Sequence, residues 1–200
     1  MSKTTIPTGG LADSAVTSAK ITDATIASGD LADDAVTAAK IADAVSFGKV
    51  GQFLNTFQGG SFSTTSTSYT EITNFSQAIT PSATNSKIFI SAQMGIGMGG
   101  TNTYWIQMYR QISGSSASII ADNATDGSEN AIYSNGMRGT NPTYEQQNVT
   151  LSYLDSPSTT SEVTYFFKIR VDSSTVYVGR VGAATSRASS SNISTIEILA

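Results

Sequence analysis

An aliphatic residue recurs at every fifth position near the start of this chain: Ile6, Leu11, Val16, Ile21, Ile26, Leu31, Val36 and Ile41. A longer repeat of twenty lies inside that row, because Leu11–Ile21 (LADSAVTSAKI) returns as Leu31–Ile41 (LADDAVTAAKI). Self-similarity at a fixed period marks an extended, nearly one-dimensional element. A step of five suits neither ordinary template. On a helix it rotates each aliphatic roughly 140° from the last, and on a strand an odd step alternates faces.

Three readings fit. The first is a coil that turns a corner every five residues, as in pentapeptide-repeat β-helices, with Gly9, Ser14, Ala19, Ala24, Gly29, Asp34 and Ala39 as the small or polar residue two places before each aliphatic. The second is a short helix, with Leu31, Ala35, Ala38, Ala42 and Val45 at heptad spacing. The third is a low-complexity arm without fixed structure. Either ordered form needs partners. A segment without one aromatic buries too little to offset backbone entropy of roughly 1–2 kcal/mol per residue. Copies winding together, most simply three, would cover Leu11, Val16, Ile21, Ile26, Leu31, Val36 and Ile41 along a common axis.

Composition then splits the chain. The eight Phe, eight Tyr and one Trp all fall at or after Phe47. Residues 1–46 therefore read as a shaft or attachment segment, and residues 47–200 as a domain long enough for its own core. In that second part Ile88, Ile90, Ala92, Met94 and Ile96 alternate with polar or small partners, as do Val163, Tyr165, Phe167, Ile169 and Val171. Period two predicts strands with one buried face. Val50–Phe57, Ile72–Ile79, Thr103–Gln111, Ala117–Ala121, Val149–Leu154, Thr175–Val178 and Ser194–Leu199 are further candidates. Tyr165–Val171 with Thr175–Val178 reads as a hairpin, and the last strand as one that closes a sheet. The fold class expected is mainly β: an antiparallel, jelly-roll-like sandwich behind the repeat.

Chemistry is sparse. There is no His and no Cys, which removes the commonest general base, the commonest metal ligand and all thiol chemistry. The net charge of −4, with no basic cluster, argues against nucleic acid. Met1–Thr5 lacks the apolar stretch of a signal peptide, and no run approaches the roughly 20 apolar residues of a membrane span. Asp122–Asn130 gathers oxygen ligands around Gly127, but its spacing is not that of a calcium loop. Asp122, Asp126, Glu129, Glu145, Asp155 and Glu162 are acids of the kind that glycosidases pair, without any spacing that pairs them. Gly95-x-Gly97-x-Gly99-Gly100 leads from strand to strand, so a bulge or close backbone contact fits better than phosphate binding. No enzyme, cofactor or metal is expected.

Residues 121–147 are the longest stretch without clean periodicity, and long loops are often functional. Their Tyr133, Arg138 and Tyr144 suit receptor contact, since rings stack on sugars and polar side chains read hydroxyls. The same stretch reads equally as a packed loop or a subunit contact. Tyr104, Trp105 and Tyr109 lie in a strand and read as core or subunit interface.

Two passages in the second part, GGSFSTTSTSYTEITNFSQAITPSATNSKIFISAQMGIG and VTLSYLDSPSTTSEVTYFFKIRV, with NISTIEILA near the end, resemble the β-rich head domains of bacteriophage tail-fibre-like virion proteins. LADDAVTAAKIADAV resembles the repeats found upstream of such heads. The resemblance spans about residues 9–200. It implies a virion appendage on the tail or capsid exterior, homotrimeric, held at its N-terminus by another virion protein, with a distal head that meets a host-surface glycan or protein. The alternative it leaves is a head fibre or a capsid or tail decoration protein without a receptor. Nothing in it implies nucleic acid or membrane insertion.

Overall fold

The computed structural model describes residues 7, 9–12, 14–22, 25–33, 35–37, 49–58, 60–100, 102–121, 133–137, 146–182 and 188–199. The chain divides into two compact units, Met1–Ser46 and Phe47–Ala200.

In the first unit a turn closes every five residues. The amides of Gly10, Ala15, Lys20, Thr25, Asp30 and Ala35 donate to the carbonyls three residues earlier, at 2.8–3.1 Å. Two of these turns tighten into 3-10 turns, Ser18–Lys20 and Ser28–Asp30. Side chains lock some corners: Asp30 Oδ2 accepts from the Ala27 amide at 2.9 Å, and the Thr25 hydroxyl donates to the Thr22 carbonyl. Among the described residues there is no α-helix; of the heptad positions, Leu31 and Ala35 are not helical, and Ala38, Ala42 and Val45 lie outside the described residues. Nor, among them, does a backbone hydrogen bond join one repeat to another, as the rungs of a β-helix would. Leu11, Val16, Ile21, Ile26, Leu31 and Val36 are between 38% and 54% exposed, where a β-helix would bury them. Ile41 lies outside the described residues. The period-five text thus makes a string of turns with its aliphatics uncovered.

The second unit is two antiparallel sheets. Its strands are β1 (Lys49–Phe57), β2 (Phe62–Thr64), β3 (Thr70–Ile79), β4 (Lys87–Met98), β5 (Asn102–Ile112), β6 (Ser118–Ala121), β7 (Tyr133–Met137), β8 (Gln146–Asp155), β9 (Val163–Val171), β10 (Val176–Val178) and β11 (Asn192–Leu199). Sheet A runs β1-β11-β4-β8, with β10 and β2 continuing beyond β11 on the same edge of β4. Sheet B runs β3-β9-β5, with β6 and β7 both on the far edge of β5. The chain crosses between sheets in the order that defines a jelly roll, each sheet interleaving early and late strands.

The inward faces are those the alternation predicts. Ile88, Ile90, Ala92, Met94 and Ile96 of β4 face Val163, Tyr165, Phe167, Ile169 and Val171 of β9 across one core, all at most 1% exposed. Phe75 and Phe167 meet at 5.5 Å in a tilted pair. Burial of each such side chain contributes roughly 1.5–3 kcal/mol.

Three expectations are corrected. β9 and β10 are not a hairpin: β9 belongs to sheet B, while β10 pairs with β4 and β2 of sheet A. Asp172–Thr175 crosses the sandwich instead. Its Asp172 exchanges bonds with Thr103, and Ser174 takes a left-handed φ of 57°. The last strand does not close a sheet but lies between β1 and β4. The stretch 121–147 is not all loop, because β7 lies within it and pairs with β5.

Polar contacts clasp the sheets together. Asp155 of β8 takes both carboxylate oxygens to Arg110 Nη1 of β5, at 2.9 and 3.0 Å, and accepts from the Tyr165 hydroxyl of β9 at 2.8 Å. Burial first, then the adjacent carboxylate, pushes the Tyr165 hydroxyl well above the usual tyrosine range. Glu197 of β11 is fully buried, yet it accepts from the Ser82 amide and hydroxyl and from Gln52 at 2.6–2.7 Å. Burial raises its pKa, but these donors outweigh burial and hold the carboxyl below its ordinary value.

Candidate functional site

Strand alternation in β5 puts Tyr104, Ile106 and Met108 into the core. Their neighbours Trp105, Gln107 and Tyr109 must then point out of sheet B. On β9 the same rule sends Phe166, Lys168 and Arg170 outward, opposite Val163, Tyr165 and Phe167. Register sets these two rows side by side: Trp105 faces Arg170, Gln107 faces Lys168, and Tyr109 faces Phe166.

The result is a ladder of rings and cations. Tyr109 and Phe166 stack at 5.4 Å with 18° between their planes. Lys168 Nζ sits 4.4 Å above the Tyr109 ring and 6.0 Å from that of Phe166. The Arg170 guanidinium lies 4.0 Å above Trp105 and 5.4 Å from Tyr69. The Tyr109 hydroxyl donates to Gln107 Oε1 at 2.7 Å. Burial, and next the nearby Tyr69, raises its pKa, so it stays a neutral donor at physiological pH. Trp105 and Tyr109 are half-buried on this outer face. Tyr104 alone of the three aromatics is in the core, with its hydroxyl on Gln147 at 2.9 Å.

Sequence reasoning missed this surface. The two-residue period was visible in β9, but only pairing shows that its outward cations lie over the rings of β5. Of the three residues expected to touch a receptor, Tyr133 is in β7, where its backbone pairs opposite Ile106 on the strand that carries Trp105. Arg138 and Tyr144 lie outside the described residues, as do the Asp122–Asn130 turn and Glu145. Of the candidate acids described, Asp155 is engaged by Arg110 and Tyr165 and Glu162 is exposed. Among the described residues no cluster of three or more acids could hold a metal.

A second feature lies where β1 ends. A small open pocket of about 160 Å³ is lined by Gln58, Gly60, Ser61, Gly179, Arg180 and Ser189. The glycines of β4 make room for the chain that forms its wall. A Cβ on Gly97 would sit 2.1 Å from the Gly182 amide, and one on Gly95 would sit 2.1 Å from Ser189 Oγ. Close backbone approach is therefore what Gly95-x-Gly97 serves. Arg180 is laid over the Tyr177 ring at 3.9 Å.

The outer face of sheet B offers the half-buried rings of Trp105 and Tyr109 and two cations, with Phe166 and Gln107 buried among them, on a chain whose net charge is negative. Aromatic residues and Arg are the side chains that dominate binding energy at interfaces. Stacking with charge-assisted hydrogen bonding suits a polyhydroxylated or anionic partner.

No protein family matches the sequence, and no curated protein matches it. Among solved structures, the chain is similar to a chain of the T13 particle of infectious bursal disease virus and to the VP2 subviral particle of that virus. Each gives a TM-score of 0.39 at 10% identity over 74% of this chain. The Gt strain of the same virus gives a TM-score of 0.36 at 9% identity. This chain spans 38–39% of those chains. A likeness this slight does not inform function.

Proposed function

We propose that this chain is a structural virion protein of the bacteriophage tail-fibre kind, a homotrimer whose N-terminal turns serve assembly and whose jelly-roll head contributes to host-surface attachment. The observation that carries the attachment role is the ring-and-cation ladder on sheet B, Trp105–Arg170 and Tyr109–Lys168. Aromatic residues and Arg are enriched at recognition surfaces. The repeat supports the assembly role, because its aliphatics are uncovered in a single chain. Of the acids described, Asp155 is held by Arg110 and Tyr165, and Glu197 is buried.

The test uses whole particles. Antibody against the head should decorate purified virions at a tail or capsid appendage, and virions lacking residues 47–200 should adsorb poorly to host cells. Absence of the chain from purified virions would overturn the reading. Presence on the particle with unchanged adsorption after the deletion would leave a decoration protein.

A further inference from the structure

The outer face of sheet A differs in kind. Pairing sets its outward side chains in straight rows across four strands. Phe53 of β1 lies opposite Ile196 of β11, which lies opposite Phe89 of β4, which lies opposite Leu154 of β8. The next row is Asn55, Ser194, Ser91 and Ser152, and the one beyond it is Phe57, Asn192, Gln93 and Thr150. On the other side, Val50 stands opposite Ile198, which stands opposite the exposed Lys87 of β4, so a cation borders the uncharged rows at this end. Phe53 is 62% exposed, Phe57 68%, Val50 64% and Leu154 47%. These three rows hold no charged residue. The acids of the same strands, Asp155 and Glu197, are both turned inward. An apolar row flanked by small uncharged residues is the make-up of the dry centre of a stable interface.

We infer that this face of sheet A packs against the same face, or a neighbouring one, of a second copy of this chain. The inference rests on the homo-oligomeric reading proposed above and names its contact surface. Covalent continuity points to a copy as occupant. β1, which carries Val50, Phe53 and Phe57, starts at Lys49, eight residues after Ile41, the last aliphatic of the repeat. Eight residues span roughly 29 Å at most. Copies that associate through their aliphatic repeats therefore hold their β1 strands within reach of one another. The missing charges favour a copy as well, since a foreign partner would be selected by complementary charge at this surface. Contact is by face and not by edge. The register of β1 slips between Val50 and Phe53, and a bulge of this kind spoils strand addition along the edge.

The chain has no native Cys, so single cysteines report contact cleanly. Full-length Phe53→Cys, Leu154→Cys and Gln111→Cys proteins, the last exposed on sheet B, are treated with a short bis-maleimide. Leu154 lies three strand spacings from β1, roughly 14 Å, so linkage at that site is not produced by the tether alone. Mixed Phe53→Cys and Leu154→Cys chains should link between copies, and Gln111→Cys should not. The Phe53→Lys, Phe89→Lys double variant should self-associate at least tenfold more weakly in light scattering while keeping its far-ultraviolet circular dichroism. If the unmodified chain is a monomer at micromolar concentration, the homotrimer and this surface both fail. If it is oligomeric, but row cysteines link no more than Gln111→Cys or the double variant assembles normally, this surface alone fails and another partner covers it.

Discussion

The two sheets share one core and turn quite different faces outward. Sheet A shows Phe53, Ile196, Phe89 and Leu154 in a row, bordered by Asn and Ser, with no charge among them. Sheet B shows Trp105 and Tyr109 with Arg170 and Lys168 laid over their rings, and Phe166 buried against Tyr109. An uncharged apolar face gains most from a surface like itself. A face of rings and cations gains from a partner with hydroxyls or negative charge. The difference lies chiefly in the outward residues, since the inward residues of both sheets are mostly aliphatic or aromatic and almost fully buried, with Asp155, Thr195 and Glu197 of sheet A as polar exceptions.

The hardest test of that division is to place one substitution on opposite sides of a sheet. Ile90→Asp and Phe167→Asp each bury a carboxylate without a partner, a cost of several kcal/mol against a domain stability of about 5–15 kcal/mol. Both should abolish folding, seen as insoluble protein or loss of the strand signal in circular dichroism. Phe53→Asp and Leu154→Asp should stay folded. If an inward variant folds natively, the faces are assigned the wrong way round.

Next in size is the clasp that makes one sandwich of the two sheets. Asp155→Ala leaves Arg110 and the Tyr165 hydroxyl without their acceptor. Breaking a buried pair costs about 3 kcal/mol at the low end, the end appropriate here because the Arg110 side chain is 23% exposed. Urea denaturation should show the loss as one transition with an unchanged slope. Two separate transitions would mean that the sheets unfold independently.

How much of this was legible follows from where the information sits. Alternation along β4 and β9 is local, so their buried faces could be read directly. The outward row of sheet A could not, because Phe53, Phe89, Leu154 and Ile196 are far apart in sequence and meet only through register. β2 escaped notice because Phe62-Ser63-Thr64 is too short to show a period amid Ser and Thr. The β9–β10 link was misread because a short polar connection serves a hairpin and a crossover equally well. The choice depends on whether Val176–Val178 finds β4 or β9, which no local signal states. In the first unit the period was visible and its turns formed on it, but its described aliphatics are uncovered in a single chain.

Glu197 separates the sheets by pH. It lies only in sheet A, and its folded pKa is held below the unfolded value. A depressed carboxyl contributes stability that is present above the unfolded pKa, about 4.3, and is lost as pH falls through the folded one. The urea midpoint should therefore hold from pH 7 to 5 and decline below 4. Glu197→Gln should flatten part of that decline. An identical acid profile in the variant would mean that other carboxylates carry it.

On sheet B, Trp105→Ala removes the ring beneath Arg170. Loss of one anchoring aromatic should cost about 1–2 kcal/mol of binding, or roughly 5- to 30-fold in adsorption rate or affinity. Oligomeric state should not change. Weaker assembly with normal adsorption would move sheet B to the subunit contact and reverse the roles of the two faces.

The smallest effect expected is also the most discriminating. Lys168 sits over Tyr109, between Gln107 of β5 and Glu71 of β3 in the pairing. Lys168→Ala should cost only about 0.5–1 kcal/mol of stability, the usual size of an exposed cation–π contact. Its effect on adsorption should depend on salt if the partner is anionic. Screening acts over about 30 Å at 0.01 M salt and about 3 Å at 1 M. The deficit should be clear at the lower concentration and vanish at the higher, and Lys168→Arg should restore adsorption because it keeps the charge over the ring. A deficit that ignores salt would mean that Lys168 acts by holding Tyr109 in place, so that sheet B recognises its partner by shape and hydrogen bonding alone.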